Sequence, residues 1–150
     1  MKKTVFAVAV LFLVSGLAAV AHAQLESFLD NLNIQARADM NGFSVKLATQ
    51  FSVPLPQVQA IIKTVEAPAD AFMCLQLGQM ANKQPDTVVQ TYKRNKGKGW
   101  GVIAKELGIK PGSPEFHALK RGDFAFTGEP GGSAGEGHGK GRGKGKGHSK

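Results

Sequence analysis

An all-α fold of five to seven short helices, followed by a disordered Gly/Lys-rich tail, is what this 150-residue sequence predicts. Three observations predict it. Apolar residues recur at helical spacing through the middle of the chain, and strand-like alternation is nowhere sustained. Prolines stand where helices begin, at Pro68, Pro85 and Pro114, where a missing N–H costs nothing. From Thr127 on no large apolar side chain remains, so that segment cannot bury enough surface to offset the entropy of ordering it.

The chain opens with an address. Lys2 and Lys3 precede an apolar run from Val5 to Val20, interrupted at Ser15 and Gly16, and Ala21-His22-Ala23 supplies a small-x-small cleavage pattern. This is the layout of a secretory signal peptide over residues 1–23. The run is shorter than the roughly 20 residues a spanning helix needs, so no membrane span is expected once it is cleaved. No cysteine follows it, which excludes a lipoprotein anchor, and no twin-arginine pair precedes it. Export to a bacterial periplasm or beyond is the expected localisation.

A helical domain over residues 24–126 follows. Leu25, Phe28, Leu29 and Leu32 share one helical face, and Phe43, Leu47 and Phe51 share another, with Val45 and Ala48 between them. After Pro54-Leu55-Pro56 come Val58, Ile61, Ile62 and Val65. Pro68 starts a helix to about Ala81 through Phe72, Met73, Leu75, Leu77 and Met80. Pro85 starts the next, with Val88, Val89 and Tyr92. A short helix from about Trp100 to Leu107 ends at Gly108, a natural C′ residue, and Ser113-Pro114-Glu115 opens the last, with Phe116 and Leu119 inward. Two helix–turn–helix units echo each other 56 residues apart, pairing Ala48 with Ala104, Phe51 with Leu107 and Val53 with Ile109. Related hairpins and chance similarity between two amphipathic pairs both explain the echo.

Charge is unevenly placed. The chain carries a formal +8, and residues 92–150 alone carry thirteen basic and five acidic groups, against four basic and six acidic over residues 24–91. A polyanion therefore meets the C-terminal half first. Lys93, Arg94, Lys96 and Lys98 precede the Trp100 helix, beside glycines that allow close approach of a ligand to the backbone. The loop lacks the Gly-Lys-Ser/Thr ending of a phosphate loop, so nucleotide binding is not supported; a solvated basic loop anchored by Trp100 is the plainer alternative. The tail, residues 127–150, carries Lys140, Arg142, Lys144, Lys146 and Lys150 between glycines. Such a chain attracts polyanions by releasing counterions. It has no aromatic residue, so it cannot stack on bases, and sequence-specific nucleic-acid reading is not expected. The helix–turn–helix look does not alter this, since Lys63 is the sole cation of the second helix in the first unit and the leader takes the chain away from chromosomal DNA.

Gly99-Trp100-Gly101-Val102-Ile103-Ala104-Lys105-Glu106-Leu107-Gly108-Ile109 resembles an element of small exported bacterial proteins, in which Gly-Trp-Gly and an Ile-Ala-Lys-x-Leu-Gly run sit near a basic Gly-rich end. The resemblance covers about a tenth of the chain. It implies a bacterial envelope location and carries over no catalytic residue, because no reaction is assigned to these proteins.

Catalysis finds little support. Asp39, Glu66, Asp70, Asp86 and Glu106 show no recognisable pairing, and a small hydrolase stays open only if acids converge in space. No cofactor is indicated. His117, His138 and His148 are the candidate ligands of a metal-handling alternative, two of them separated by flexible glycine and surrounded by cations. A single cysteine, Cys74, lies among apolar neighbours, where a buried inert thiol is usual. The expected function is therefore binding: an exported, non-catalytic envelope protein whose cationic tail attracts anionic polymer or lipid head groups. The sequence does not fix an oligomeric state.

Overall fold

The computed structural model describes residues 22–131, which form seven α-helices and no strand. α1 covers residues 22–38 and turns at Asp39 directly into α2, Met40–Phe51. α3 is Leu55–Thr64, α4 Pro68–Ala81, α5 Pro85–Arg94, α6 Trp100–Glu106 and α7 Pro114–Arg121. The all-α reading holds, and every proline start holds with it: α4, α5 and α7 begin on the named residue, and α3 carries Pro56 in its first turn. Among the described residues no helix is long and apolar enough to cross a membrane.

α4 is the axis of the fold. Ala69 and every residue from Ala71 to Gly78 are buried, so over these two turns the helix has no solvent face and neighbours surround it. α1 presents Leu25, Leu29, Leu32 and Ala36 to the core, a repeat of four and three residues that keeps one stripe inward. Asn33 of α1 accepts a hydrogen bond from the Ala69 N–H at 2.9 Å, satisfying a donor that the first turn of α4 leaves open. Phe72 is the hub: its ring meets Phe28, Phe51, Phe124 and Phe126 with centroids 5.2–6.1 Å apart, all edge-on or T-shaped. Cys74 is fully buried one turn after Asp70, and burial, then the Asp70 charge, push its thiol up to about 12.

Three hairpins are built on one plan: α2 with α3, α4 with α5, and α6 with α7. The first helix of each ends in the same cap. Val53 N–H reaches Ala48 C=O at 3.0 Å, Lys83 N–H reaches Gly78 C=O at 2.8 Å, and Ile109 N–H reaches Ala104 C=O at 3.0 Å. These are the six-residue closures of Schellman turns, with Ser52, Asn82 and Gly108 in the left-handed conformation. The echo between the first and third hairpins therefore has a structural counterpart, and a middle hairpin shares it. The small residue before each cap allows close approach: a Cβ on Gly78 would lie 3.1 Å from Lys83 C=O and 3.3 Å from a Val88 methyl. The same cap also ends α7, where Asp123 N–H bonds Ala118 C=O at 2.9 Å, whereas α3 and α5 end without a left-handed residue.

Val45 departs from the expected stripe. It is 43% exposed, and Gln50, three residues after Leu47, takes the inward position instead at 1%. The reason lies at the far end of the chain. Residues 123–128 run as an irregular strap, with neither helix nor strand, that seats Phe124 and Phe126 beside Phe72. Gln50 clamps the strap: its Nε2 donates to Ala125 C=O at 2.8 Å, and its Oε1 accepts from Thr127 N–H at 3.0 Å and Gly128 N–H at 3.2 Å. Gly131 N–H adds a bond to the Gln50 backbone carbonyl at 3.1 Å. Thr127, Gly128 and Gly131, which composition groups with the tail, are thus tied to the helical part. Residues 1–21, most of the 1–23 segment expected to be a signal peptide, and the tail from residue 132 on lie outside the described residues, while His22 and Ala23 are the first residues of α1.

Candidate anion-binding surface

The basic loop is built by the ends of α5 and α6. Asn95 closes α5; its amide Nδ2 donates to Thr91 C=O at 3.0 Å and also to Glu106 Oε2. Gly97 and Gly99 take positive φ, 79° and 88°, which turns the chain from α5 into α6. Arg94 donates to Glu106 at 2.7 Å, and Lys96 pairs with Glu66 at 2.9 Å. The Arg94 guanidinium and the Asn95 amide hold the Glu106 carboxyl below its ordinary value. Two of the four loop cations are therefore engaged in latching the loop to the α3–α4 turn and to the end of α6. Lys93 and Lys98 make no ion pair with a described carboxylate. α6 is seven residues long, with Gly99 as its N-cap and no side-chain cap.

Behind the loop lies a polar cluster that the sequence does not announce. Tyr92 OH donates to Asp70 Oδ2 at 2.9 Å and accepts from Glu66 N–H at 3.3 Å. Asp70 Oδ2 also accepts from Ala67 N–H at 3.1 Å, fixing the start of α4. Burial raises the Asp70 carboxyl, against the pull of Tyr92 and Ala67, and burial likewise raises the Tyr92 hydroxyl. The Trp100 ring stacks on Tyr92 with centroids 5.5 Å apart and planes 23° from parallel. Trp100 is half-buried, so the cluster holds one ring face while the rest lines a cleft.

That cleft, about 290 Å³, opens where the start of α1 meets α6 and α7. Leu25, Trp100, Phe116 and Leu119 give it apolar walls, and Lys98, Lys105 and Lys120 border it. None of the three lysines pairs with a described carboxylate, and Lys120 Nζ stands 5.9 Å from the Phe116 ring centroid. Glu26 brings one negative charge from the α1 side. Gly122, the left-handed cap of α7, packs against the start of α1: its would-be Cβ lies 2.7 Å from Leu25 Cα, so backbone sits on backbone there.

Of the residues singled out from sequence, the structure brings Lys98 and Trp100 into the cleft and gives Arg94 and Lys96 to ion pairs. Lys93 borders a separate shallow groove with Gln57 and Asp86. His117 is exposed on α7, and among the described residues no three His, Cys, Asp or Glu side chains group to hold a metal ion. Lys140, Arg142, Lys144, Lys146, Lys150, His138 and His148 lie outside the described residues. Lys105 and Lys120 escape a sequence reading centred on the basic run. The available signal was Lys120 one helical turn after Phe116. No protein-family model, no curated protein and no solved structure matches the chain. What the surface does must follow from its own chemistry.

Proposed function

We propose that this chain is an exported, non-catalytic protein that works by binding anionic material of the cell envelope. The observation that carries the reading is the set of cations in α5–α7: Lys93, Lys98, Lys105, Lys110 and Lys120 are exposed and make no ion pair with a described carboxylate. They continue into a C-terminal sequence with five more cations, Lys140, Arg142, Lys144, Lys146 and Lys150. A basic residue near an anionic lipid surface contributes about 1 kcal/mol, and salt screens it. The folded part then positions the protein, and the tail adds weak, salt-sensitive attraction.

The test is sedimentation with vesicles of phosphatidylglycerol mixed into phosphatidylcholine, and retention on heparin. The full chain is compared with one in which the five tail cations are serine. The expected result is strong retention of the full chain at low salt, weaker retention of the serine chain, and loss of both at high salt. Equal retention of the two chains at low salt removes the role of the tail.

A further inference from the structure

Beyond the surface charge, the geometry points to the Trp100 cleft as a site for a free carboxylate with a medium-length alkyl body. The proposal deepens the reading of the basic half, but it rests on the cleft rather than on the number of cations. Leu25, Phe116, Leu119 and the open part of the Trp100 ring offer the apolar body a wall that water solvates poorly. Lys98, Lys105 and Lys120 border the same space and none is in an ion pair with a described carboxylate, although Lys98 also lies in the field of Glu106. Glu26 stands on the α1 side, which directs the anionic head towards the lysines of α6 and α7. The cleft's 290 Å³ lies at the small end of ligand sites. That size suits one short chain and not a two-chain lipid. The frame is rigid where it matters: Tyr92 stacks on the indole, and the Tyr92 hydroxyl is held by Asp70 and Glu66.

The chain contains one tryptophan, so its emission reports on this cleft alone. The full chain is titrated with decanoate below its micelle concentration, with decanol, and with acetate. Saturable change in Trp100 emission is expected with decanoate, and little response with the other two. The double variant Lys98→Gln, Lys120→Gln removes two exposed charges and should weaken decanoate by about tenfold with helicity unchanged. Gly101→Leu is the second variant. A Cβ on Gly101 points towards the Phe116 ring, 3.9 Å away, so leucine fills the cleft and should abolish decanoate heat in calorimetry while vesicle retention stays. Decanol binding as tightly as decanoate overturns the proposal, as does a Gly101→Leu chain that still binds decanoate. A failure of the surface reading is distinguishable, because the tail-serine chain would then sediment with vesicles like the full chain whatever the cleft does.

Discussion

Two glutamines are fully buried in this fold, and the same substitution should act on them with opposite sign. Gln50 is 1% exposed and spends its amide on three strap bonds. Gln76 is 0% exposed in the middle of α4, one turn after Phe72, and neither its Nε2 nor its Oε1 meets a hydrogen-bond partner among the described residues. Leucine matches glutamine closely in volume, so neither change opens a large cavity. At Gln50 the loss of three net hydrogen bonds of about 0.5–1.5 kcal/mol each gives a cost of about 1.5–4.5 kcal/mol. At Gln76 leucine removes an amide whose unpaired burial costs about 1–3 kcal/mol, so the variant should be more stable by that amount. For a domain of this size each kcal/mol moves Tm by about 4 °C, which places the two variants well apart in a thermal melt. Hydrogen exchange supplies the second readout: Gln50→Leu should deprotect the Thr127 and Gly128 amides, and Gln76→Leu should leave them alone. Destabilisation by Gln76→Leu, or unchanged Thr127 and Gly128 protection in Gln50→Leu, refutes the reasoning.

Asp70 sets a pH dependence of definite sign. Burial raises its carboxyl, so the folded chain keeps this proton at a pH where the unfolded chain has released it. Its contribution to stability is largest below the unfolded value and falls as pH rises through the raised folded value. Asn at this position can still accept from Tyr92 and Ala67, so Asp70→Asn should gain on the native chain as pH goes from 3 to 7 in urea titrations, and a constant difference contradicts this. Glu106, held low by Arg94 and Asn95, acts oppositely: its latch is intact above the unfolded glutamate value and is lost as pH falls through the folded one. Glu106→Gln should therefore cost most near neutrality and nothing in acid, read by the same titrations. Gly108→Ala places a side chain at φ 95° in open space and should cost about 1–2 kcal/mol of backbone strain. Gly122→Ala adds a 2.7 Å collision with the α1 backbone and should cost clearly more; equal denaturant midpoints would mean α1 does not rest on Gly122. Cys74, buried and with its thiol pushed up to about 12, should resist a disulfide reagent at pH 8 until guanidinium unfolds the chain.

Local grammar was the legible part of this fold. Proline starts and the Gly108 stop are fixed by single-residue conformational limits, and a sequence displays those openly. The stops at Ser52 and Asn82 were harder, because non-glycine residues carry the left-handed turn there. The middle hairpin also has Lys83 where its counterparts have Val53 and Ile109, which hides the threefold pattern. At the surface, the run of loop cations was visible but its partners were not: Glu66 and Glu106 approach it only through the packing of α3–α4 and α6. Gln50 shows the limit most clearly. It stands on the Phe43–Leu47 face of α2, where its polarity gives no hint of a partner, and its use depends on strap atoms at Ala125, Thr127 and Gly128 that no local pattern brings near.

The strap also governs timing. Phe124 and Phe126 complete the aromatic surround of Phe72, yet they are among the last described residues to leave a ribosome. Until they arrive, the groove between α1, α2 and α4 stays open, and the Gln50 amide has none of these strap groups to bind. The chain therefore carries its own delay: helices can form early, but the bolt that locks them is delivered only when synthesis has reached residues 124–128.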